Sequence, residues 1–293
     1  MGLRLYGIGK APNGTQYNAS IYDTTYSGSD SSFDIARNGI QIEWKASEQE
    51  DLYSPIYGSV CTIDMLVPVS NNTLTTFISD VRTSNEGCFH VEITTQAGAK
   101  IWRGILTPDA LTDETDEGPI FTASLTAICG LAALKTVPYY NSGALYTGRY
   151  TLIQHILTAL GKLSHVPVFW GADDAFLETS LDWWSVGMTA GGANDPLNIA
   201  YCDHSAFYDF KTKGGTDKDV LSCYDVLRNI CTTFGARIRM RDGMYVVEQL
   251  DYRANTTYEY RRYKKGGAAL TFTSLAMCRS VRIASYSSSK RLA

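Results

Sequence analysis

Residues 88–135 read CFHVEITTQAGAKIWRGILTPDALTDETDEGPIFTASLTAICGLAALK, and the reading of this stretch decides the fold. Phe89-His90-Val91-Glu92-Ile93 alternates apolar with polar, the pattern of a strand that buries one face. Gln96-Ala97-Gly98 supplies a turn, and residues 101–106 (IWRGIL) are the return strand. Pro108 ends it, because proline lacks the donor that a ladder needs. An acidic loop, residues 113–117, leads to a third strand at 121–128, rich in β-branched and apolar residues. Three strands joined by short connections predict antiparallel sheet.

Upstream of this stretch the same period recurs. Residues 4–8 alternate weakly and suit an edge strand. Residues 17–23 alternate well, and residues 26–32 form a loop. Ile40, Ile42 and Trp44 share one face of a strand. Residues 56–66 make another, long enough to call for a bulge near Gly58. Residues 74–81 fit a short helix capped by Asn72 or Thr73. Six or seven sequential strands with one helix predict a barrel or sandwich over residues 1–140. Ile42, Trp44, Trp102 and Leu125 are its expected core.

Downstream, the composition shifts at residues 137–143, where the first domain is expected to end. Residues 141–293 then read as a smaller α+β domain. A helix over 151–163 buries Leu152, Ile153, Ile156, Leu157, Leu160 and Leu163. Residues 166–170 read as a short extended piece, and residues 171–203 as a long loop around the pair Trp183-Trp184. A loop of that length inside a compact protein is usually functional or an interface. A second helix is predicted over 217–234, with Gly235 as its C′ residue. Asp242-Gly243 is a strong two-residue hairpin signal. It sets Met240 opposite Tyr245 and Ile238 opposite Val247, and puts Arg237, Arg239 and Arg241 on the other face. Such a face meets solvent, an acidic partner or nucleic acid. Strands are expected again from residue 258 on, adding to the first sheet. The fold class is therefore α+β and β-rich, an antiparallel β-barrel or sandwich followed by an α+β domain with two amphipathic helices, an Asp-Gly hairpin and C-terminal strands.

Charge is distributed unevenly over the 293 residues. Residues 1–208 hold 10 basic and 22 acidic residues, net −12, and residues 209–293 hold 16 basic and 8 acidic, net +8. That polarity suits a subunit meeting a differently charged neighbour, or drift of surface charge between domains. No apolar run approaches the roughly 18–20 residues that span a bilayer. The first residues, Met1-Gly2-Leu3-Arg4-Leu5, show neither an apolar leader segment nor a myristoylation pattern.

Chemistry-bearing patterns are sparse. The seven cysteines have no C-x-x-C spacing and read as small buried hydrophobes in a reducing compartment. His90, His155, His165 and His204 lack metal-ligand spacing, so no metal or cofactor is expected. Cys202-Asp203-His204 places a thiol near an imidazole without an orienting group, a weak basis for a nucleophile. The carboxylates at 113–117 and 173–174 lack the spacing of a calcium loop. Phosphate loops, nucleophile elbows and H-E-x-x-H are absent from the sequence.

Six pieces carry a resemblance by their order. They are SIYD at 20–23, IQIEW at 40–44, PIYGS at 55–59, IWRGILTPD at 101–109, LTAICGLAALK at 125–135, and CYDVL at 223–227 leading to FGARI at 234–238. In that order the chain resembles the N-terminal part of tail or baseplate hub proteins of tailed phages and prophages, particularly those of Bacteroidota-type hosts. The resemblance covers most of residues 17–250. It departs at Cys129, where an acidic residue is expected. It implies a tail-tube-like β-barrel and a structural, non-enzymatic protein of the virion tail tip, made in the host cytoplasm. It further implies a ring, a homotrimer, that closes the tail tube and meets distal tail, tube, tape-measure and fibre or spike proteins. DNA would pass transiently through the lumen, and no membrane insertion is implied. The chain stops soon after the second domain, as a short hub or part of a longer one would. Within this reading the candidate interface residues are Trp183, Trp184, Arg237, Arg239 and Arg241. A carbohydrate- or receptor-binding module of the tail, with exposed aromatics in a concave site, is the alternative. A cell-wall hydrolase is the second.

Overall fold

The computed structural model describes residues 2–11, 14–46, 53–114, 118–181, 195–209, 219–250, 257–276 and 289–292. Strands β1 (Gly2–Lys10), β2 (Gln16–Asp23), β3 (Ser31–Ala46) and β4 (Ile56–Pro68) precede helix α1 (Asn72–Thr83). Strands β5 (Phe89–Thr95), β6 (Lys100–Leu106), β7 (Thr112–Glu114) and β8 (Ile120–Ile128) follow. Pairing runs β1–β2–β5–β6–β8–β4–β3 and back to β1, so seven strands close on themselves. Only β1 and β3 pair in parallel within that circuit. Strand β7 adds an eighth, hydrogen-bonded to β8. Closure removes the free edges that an open sheet would present.

Alternation decides what fills the barrel. Ala19 and Ile21 of β2 sit opposite Ile93 and Val91 of β5, and Ile63 of β4 lies between Ile40 of β3 and Leu125 of β8. All seven are buried. Trp102 is fully buried, and its indole Nε1 donates to Ser59 Oγ at 2.8 Å. Gly104 gives that ring its room. A Cβ there would lie 2.3 Å from both Ile128 O and Trp102 Cη2. Helix α1 covers one end of the barrel through Leu74, Phe77, Ile78 and Val81, and Phe77 meets Phe89 edge-on at 5.5 Å. Arg4 holds that end by pairing with Asp23 and Asp80 and stacking on Phe77.

Several local expectations are corrected here. Strand β1 is not an edge, because β2 and β3 flank it. The bulge lies in β3 between Ile35 and Ile40, where Asn38 takes φ 60°, and not at Gly58, which pairs regularly with Lys45. Asn71 caps α1, accepting from the backbone N–H of Thr73 and Leu74. We expect Asn71→Ala to destabilise the fold by about 1 kcal/mol, read from the urea midpoint. Trp44 is only half-buried. It has left the barrel interior and donates from Nε1 to Met240 O at 3.0 Å.

The remainder begins with the hairpin β9 (Tyr140–Asn141) and β10 (Ala144–Leu145), then β11 (Arg149–Thr151) and α2 (Leu152–Leu160). Thr151 and Gln154 form a capping box on α2. Next come α3 (Val166–Phe169), β12 (Ala175–Ser180), α4 (Pro196–Ile199), β13 (Tyr201–Asp203), β14 (Tyr208–Asp209), β15 (Asp219–Val220) and α5 (Cys223–Thr233). Strands β16 (Ala236–Arg241), β17 (Met244–Gln249), β18 (Thr257–Lys264), β19 (Ala269–Ala276) and β20 (Ser289–Leu292) end the chain. A second sheet is ordered β16–β17–β12–β18–β19. Its strand β16 pairs with the start of β4 through Ile238 with Ile56 and Arg239 with Tyr57. The two sheets are therefore hydrogen-bonded along β4.

Residues 166–169 are helical rather than extended, with Pro167 in the first turn, where a missing N–H costs nothing, and Trp170 alone stays extended. The segment 171–203 is not loop throughout, since β12 sits centrally between β17 and β18. Helix α5 starts at Cys223 rather than 217, because Ser222 accepts from the N–H of Asp225 and residues 219–220 pair with β14. The C-terminal strands divide: β18 and β19 extend the second sheet, and β20 returns to β3.

Cys129 joins the two parts. The backbone N–H of Ser59 donates to its Sγ at 3.2 Å, and its carbonyl accepts from Tyr245 OH at 2.7 Å. Cys129→Ala leaves that buried donor unpaired, and we expect a loss of roughly 1–3 kcal/mol. Cys129→Ser should recover part of it, as compared by thermal melting.

Candidate interface surfaces

Arg237, Arg239 and Arg241 share one face of β16, as the Asp242-Gly243 turn dictates. Both turn residues take positive φ, 51° and 69°, and the register pairs Met240 with Tyr245. The three guanidinium groups are drawn into the protein. Arg239 Nε lies 2.9 Å from Glu248 Oε1, and Arg241 bridges Glu248 and Glu178. Arg262 of β18 completes the set at 3.0 Å from Glu178. Arg237 is buried, with its guanidinium 4.3 Å from the centre of the Tyr57 ring. Burial alone would raise the Glu248 carboxyl, but Arg239 and Arg241 more than offset it and hold it below its usual range. Removing one member of such a network strands a charge, which makes it a structural brace across four strands. Glu178 escapes sequence reading because its partners lie more than sixty positions away.

Trp183 and Trp184 lie outside the described residues. Asp195 is buried, and its Oδ2 accepts from Thr179 Oγ1 at 2.6 Å and Tyr263 OH at 2.5 Å. Burial pushes its carboxyl up, against those hydrogen bonds. Beyond α4 the surface turns aromatic. Tyr201 is 56% exposed, Tyr150 43% and Ile199 39%, and Arg149 stacks on Tyr201. The signal for this patch was the tyrosine at 150 beside a cap and the tyrosine at 201 beside Cys202, neither of which has apolar alternation.

The Cys202–His204 pair is built into packing. Burial, then Asp203, pushes the Cys202 thiol up, opposite to what a thiolate nucleophile needs. His204 Nδ1 donates to Gly148 O at 2.9 Å, and its ring stacks on Tyr146. His155 accepts from Tyr139 OH through Nδ1 and donates through Nε2 to Cys202 O. Among the described residues no group of three or more His, Cys, Asp or Glu side chains converges as a metal site would need. No described helix is long and apolar enough to cross a membrane.

The outer face of β5 and β6 carries the other contact between the two parts. His90, Glu92 and Arg103 face α3. Arg103 pairs with Glu92 at 2.7 Å and stacks on Trp170, 4.6 Å from its ring centre. His90 is fully buried there, beside Phe169. The expectation that β5 buries only one face is thereby corrected.

A closed barrel joined to a five-stranded mixed sheet defines a β-rich α+β chain. No family model matches it, and no curated protein matches it. Among solved structures it is similar to the 43 kDa tail protein of prophage MuSo2 from Shewanella oneidensis, with TM-score 0.36 and 12% identity. That likeness covers 73% of this chain and 51% of the other, so the chain spans about half the length of that tail protein.

Proposed function

We propose that the chain is a structural, non-catalytic subunit of a phage tail tip, a hub ring that closes the tail tube and connects it to a fibre or spike. One observation carries this reading. Four of the six pieces behind the hub resemblance converge where barrel and second sheet join. Ile56 pairs with Ile238, Ser59 takes Trp102 and Cys129, and Lys135 lies over the Tyr224 ring. Segments far apart in the chain thus form one construction, as expected if their order reflects a common architecture. In this reading the ring is a homotrimer, its neighbours are tube, distal tail, tape-measure and fibre or spike proteins, and DNA passes only transiently.

An averaged map of the assembled tail tip tests it. The expected result is several copies of this chain around the tube axis. A single copy, or none, overturns the ring. Peptidoglycan turnover by the purified chain would overturn the non-catalytic role. The exposed Tyr150 and Tyr201 beside Arg149 favour a second reading, a carbohydrate platform, because flat aromatic faces stack on sugars. Glycan-array binding abolished by Tyr201→Ala would support that reading in place of the first.

A further inference from the structure

We propose that residues 161–174 form an acid-released strap: at neutral pH it lies across the outer face of β5 and β6, and protonation of His90 and His165 lifts it away while barrel and second sheet stay joined along β4. The strap is tied at both ends, to α2 before it and to β12 after it. Between those ends Leu163, His165, Val166, Phe169 and Trp170 are buried. Phe169 meets the Tyr22 ring edge-on at 5.5 Å and the His90 ring at 6.0 Å, and Arg103 lies over Trp170. This hold on the barrel is side-chain packing. Among the described residues the N–H groups of Val166, Val168, Phe169 and Trp170 all donate within the strap, so lifting it breaks none of the barrel's ladders.

The seam beneath the strap is unsuited to further positive charge. Facing the two imidazoles are Tyr22 of β2, Glu92 of β5, Arg103 of β6 and Tyr245 of β17. Glu92 is already paired with Arg103 at 2.7 Å. The charges of the strap and its far end are engaged elsewhere. Lys162 donates to Tyr140 O, Lys265 to Trp170 O, Asp173 pairs with Lys264, and Asp174 accepts from the Gly171 N–H. Tyr245 OH gives its proton to Cys129 O, so it accepts from His165 Nε2 at 3.0 Å, which leaves His165 Nδ1 as a bare acceptor. Among the described residues neither that nitrogen nor either nitrogen of His90 has a partner. Each protonation therefore creates a buried charged donor with no acceptor, beside a resident guanidinium.

The sign follows from which form accepts the proton. With the strap closed, burial holds His90 down to about 4, and burial with His90 and Arg103 holds His165 down to about 3; lifting returns both towards 6.5. Closure is therefore fully favoured above 6.5 and weakens as the pH falls. At pH 5 each imidazole shifts the equilibrium towards the lifted form by roughly thirtyfold, and the two together by roughly a thousandfold. Global unfolding gains the same factor but starts from a smaller population, because it breaks the ladders as well, so the strap lifts first. The pairing of β4 with β16, through Ile56 with Ile238, involves neither histidine and persists.

Hydrogen exchange of the full chain, read by mass spectrometry at pH 8 and pH 5 and corrected for intrinsic rates, tests this. Protection of peptides from 161–174 should fall roughly a thousandfold between the two, and at both it should lie below that of β4 and β8. His90→Phe removes one titrating ring and should cut the fall to roughly thirtyfold. His165→Gln keeps a donor for Tyr245 OH and should do the same. With both substitutions, strap protection should no longer depend on pH. Melting at pH 8 confirms that each variant is folded, and if one is not, the other carries the comparison. Strap protection equal to that of β4 and β8 at pH 5, no fall in the unmodified chain, or a fall that the folded variants do not reduce overturns the proposal.

Discussion

Lowering the pH from 6.5 to 4 is expected to remove on the order of 6 kcal/mol of folding stability, through two buried histidines. Burial holds the His90 imidazole down to about 4, and burial with the nearby His90 and Arg103 holds His165 down to about 3. Both side chains are fully buried. In the unfolded chain each titrates near its ordinary 6.5. Above that value both states are neutral and the contribution is constant. Between 6.5 and the folded value the unfolded chain binds protons that the folded one refuses, so acid favours unfolding. Glu248 and Asp23, held below their usual ranges, act in the same direction but only at lower pH. Urea titrations across the window should show the loss beginning near neutrality. His90→Phe makes the test sharp. Among the described residues neither ring nitrogen of His90 has a hydrogen-bond partner, so the substitution removes a titrating group and no bond seen there. Its slope against pH should flatten by about one proton. An unchanged slope would sink the assignment.

Trp102→Ala is expected to cost roughly 3–5 kcal/mol, the range for emptying a large core site. Its ring is fully enclosed and its Nε1 is bonded to Ser59 Oγ, so truncation leaves both a cavity and an unpaired hydroxyl. Gly104→Ala attacks the same place from the other side. The added methyl would meet the ring and the Ile128 carbonyl at 2.3 Å each. The ring can retreat and the β8 backbone cannot, so the glycine variant should also be severely destabilised. Combining the two should cost less than their sum, because removing the ring relieves one of the two clashes. Denaturant unfolding of both single variants and the double variant measures this. A Trp102→Ala protein that melts like wild type would place the residue outside the core, and strict additivity would mean the two do not touch.

The barrel was legible in the chain because its strands bury one face and wet the other. Residues 17–23, 40–44, 56–66 and 121–128 carry that period openly. Where both faces are covered, the period vanishes. Strand β12 reads Ala-Phe-Leu-Glu-Thr-Ser, and its polar half is buried because Arg241, Arg262 and Asp195 satisfy it from distant segments. Nothing within six residues announces those partners, so the sequence of this strand reads as loop. Residues 166–169 hide their helix for another reason. Valine, proline and aromatics favour extended chain, but four residues are too few to show a helical period, and Pro167 fits a first turn. For the candidate interface, sequence placed the three arginines on one face correctly. It left open what faces them, and the answer was Glu178 and Glu248 of the same sheet. Trp44 shows the limit of face arithmetic: it shares the parity of Ile40 and Ile42, yet the barrel ends before it, and its indole turns to Met240.

The sharing of β4 has a mechanical consequence. At Tyr57 this strand is hydrogen-bonded to β16 on one edge and to β3 on the other, and from Val60 onward it is held by β8 and β3. A torque on the second sheet thus reaches the barrel within one strand spacing, about 4.8 Å, with no linker to absorb it. Trp44 and Tyr245 add cross-braces at the same joint. The two parts are thus braced at one shared strand, so if the ring proposed above opens a conduit, its hinge is expected between copies and not within one.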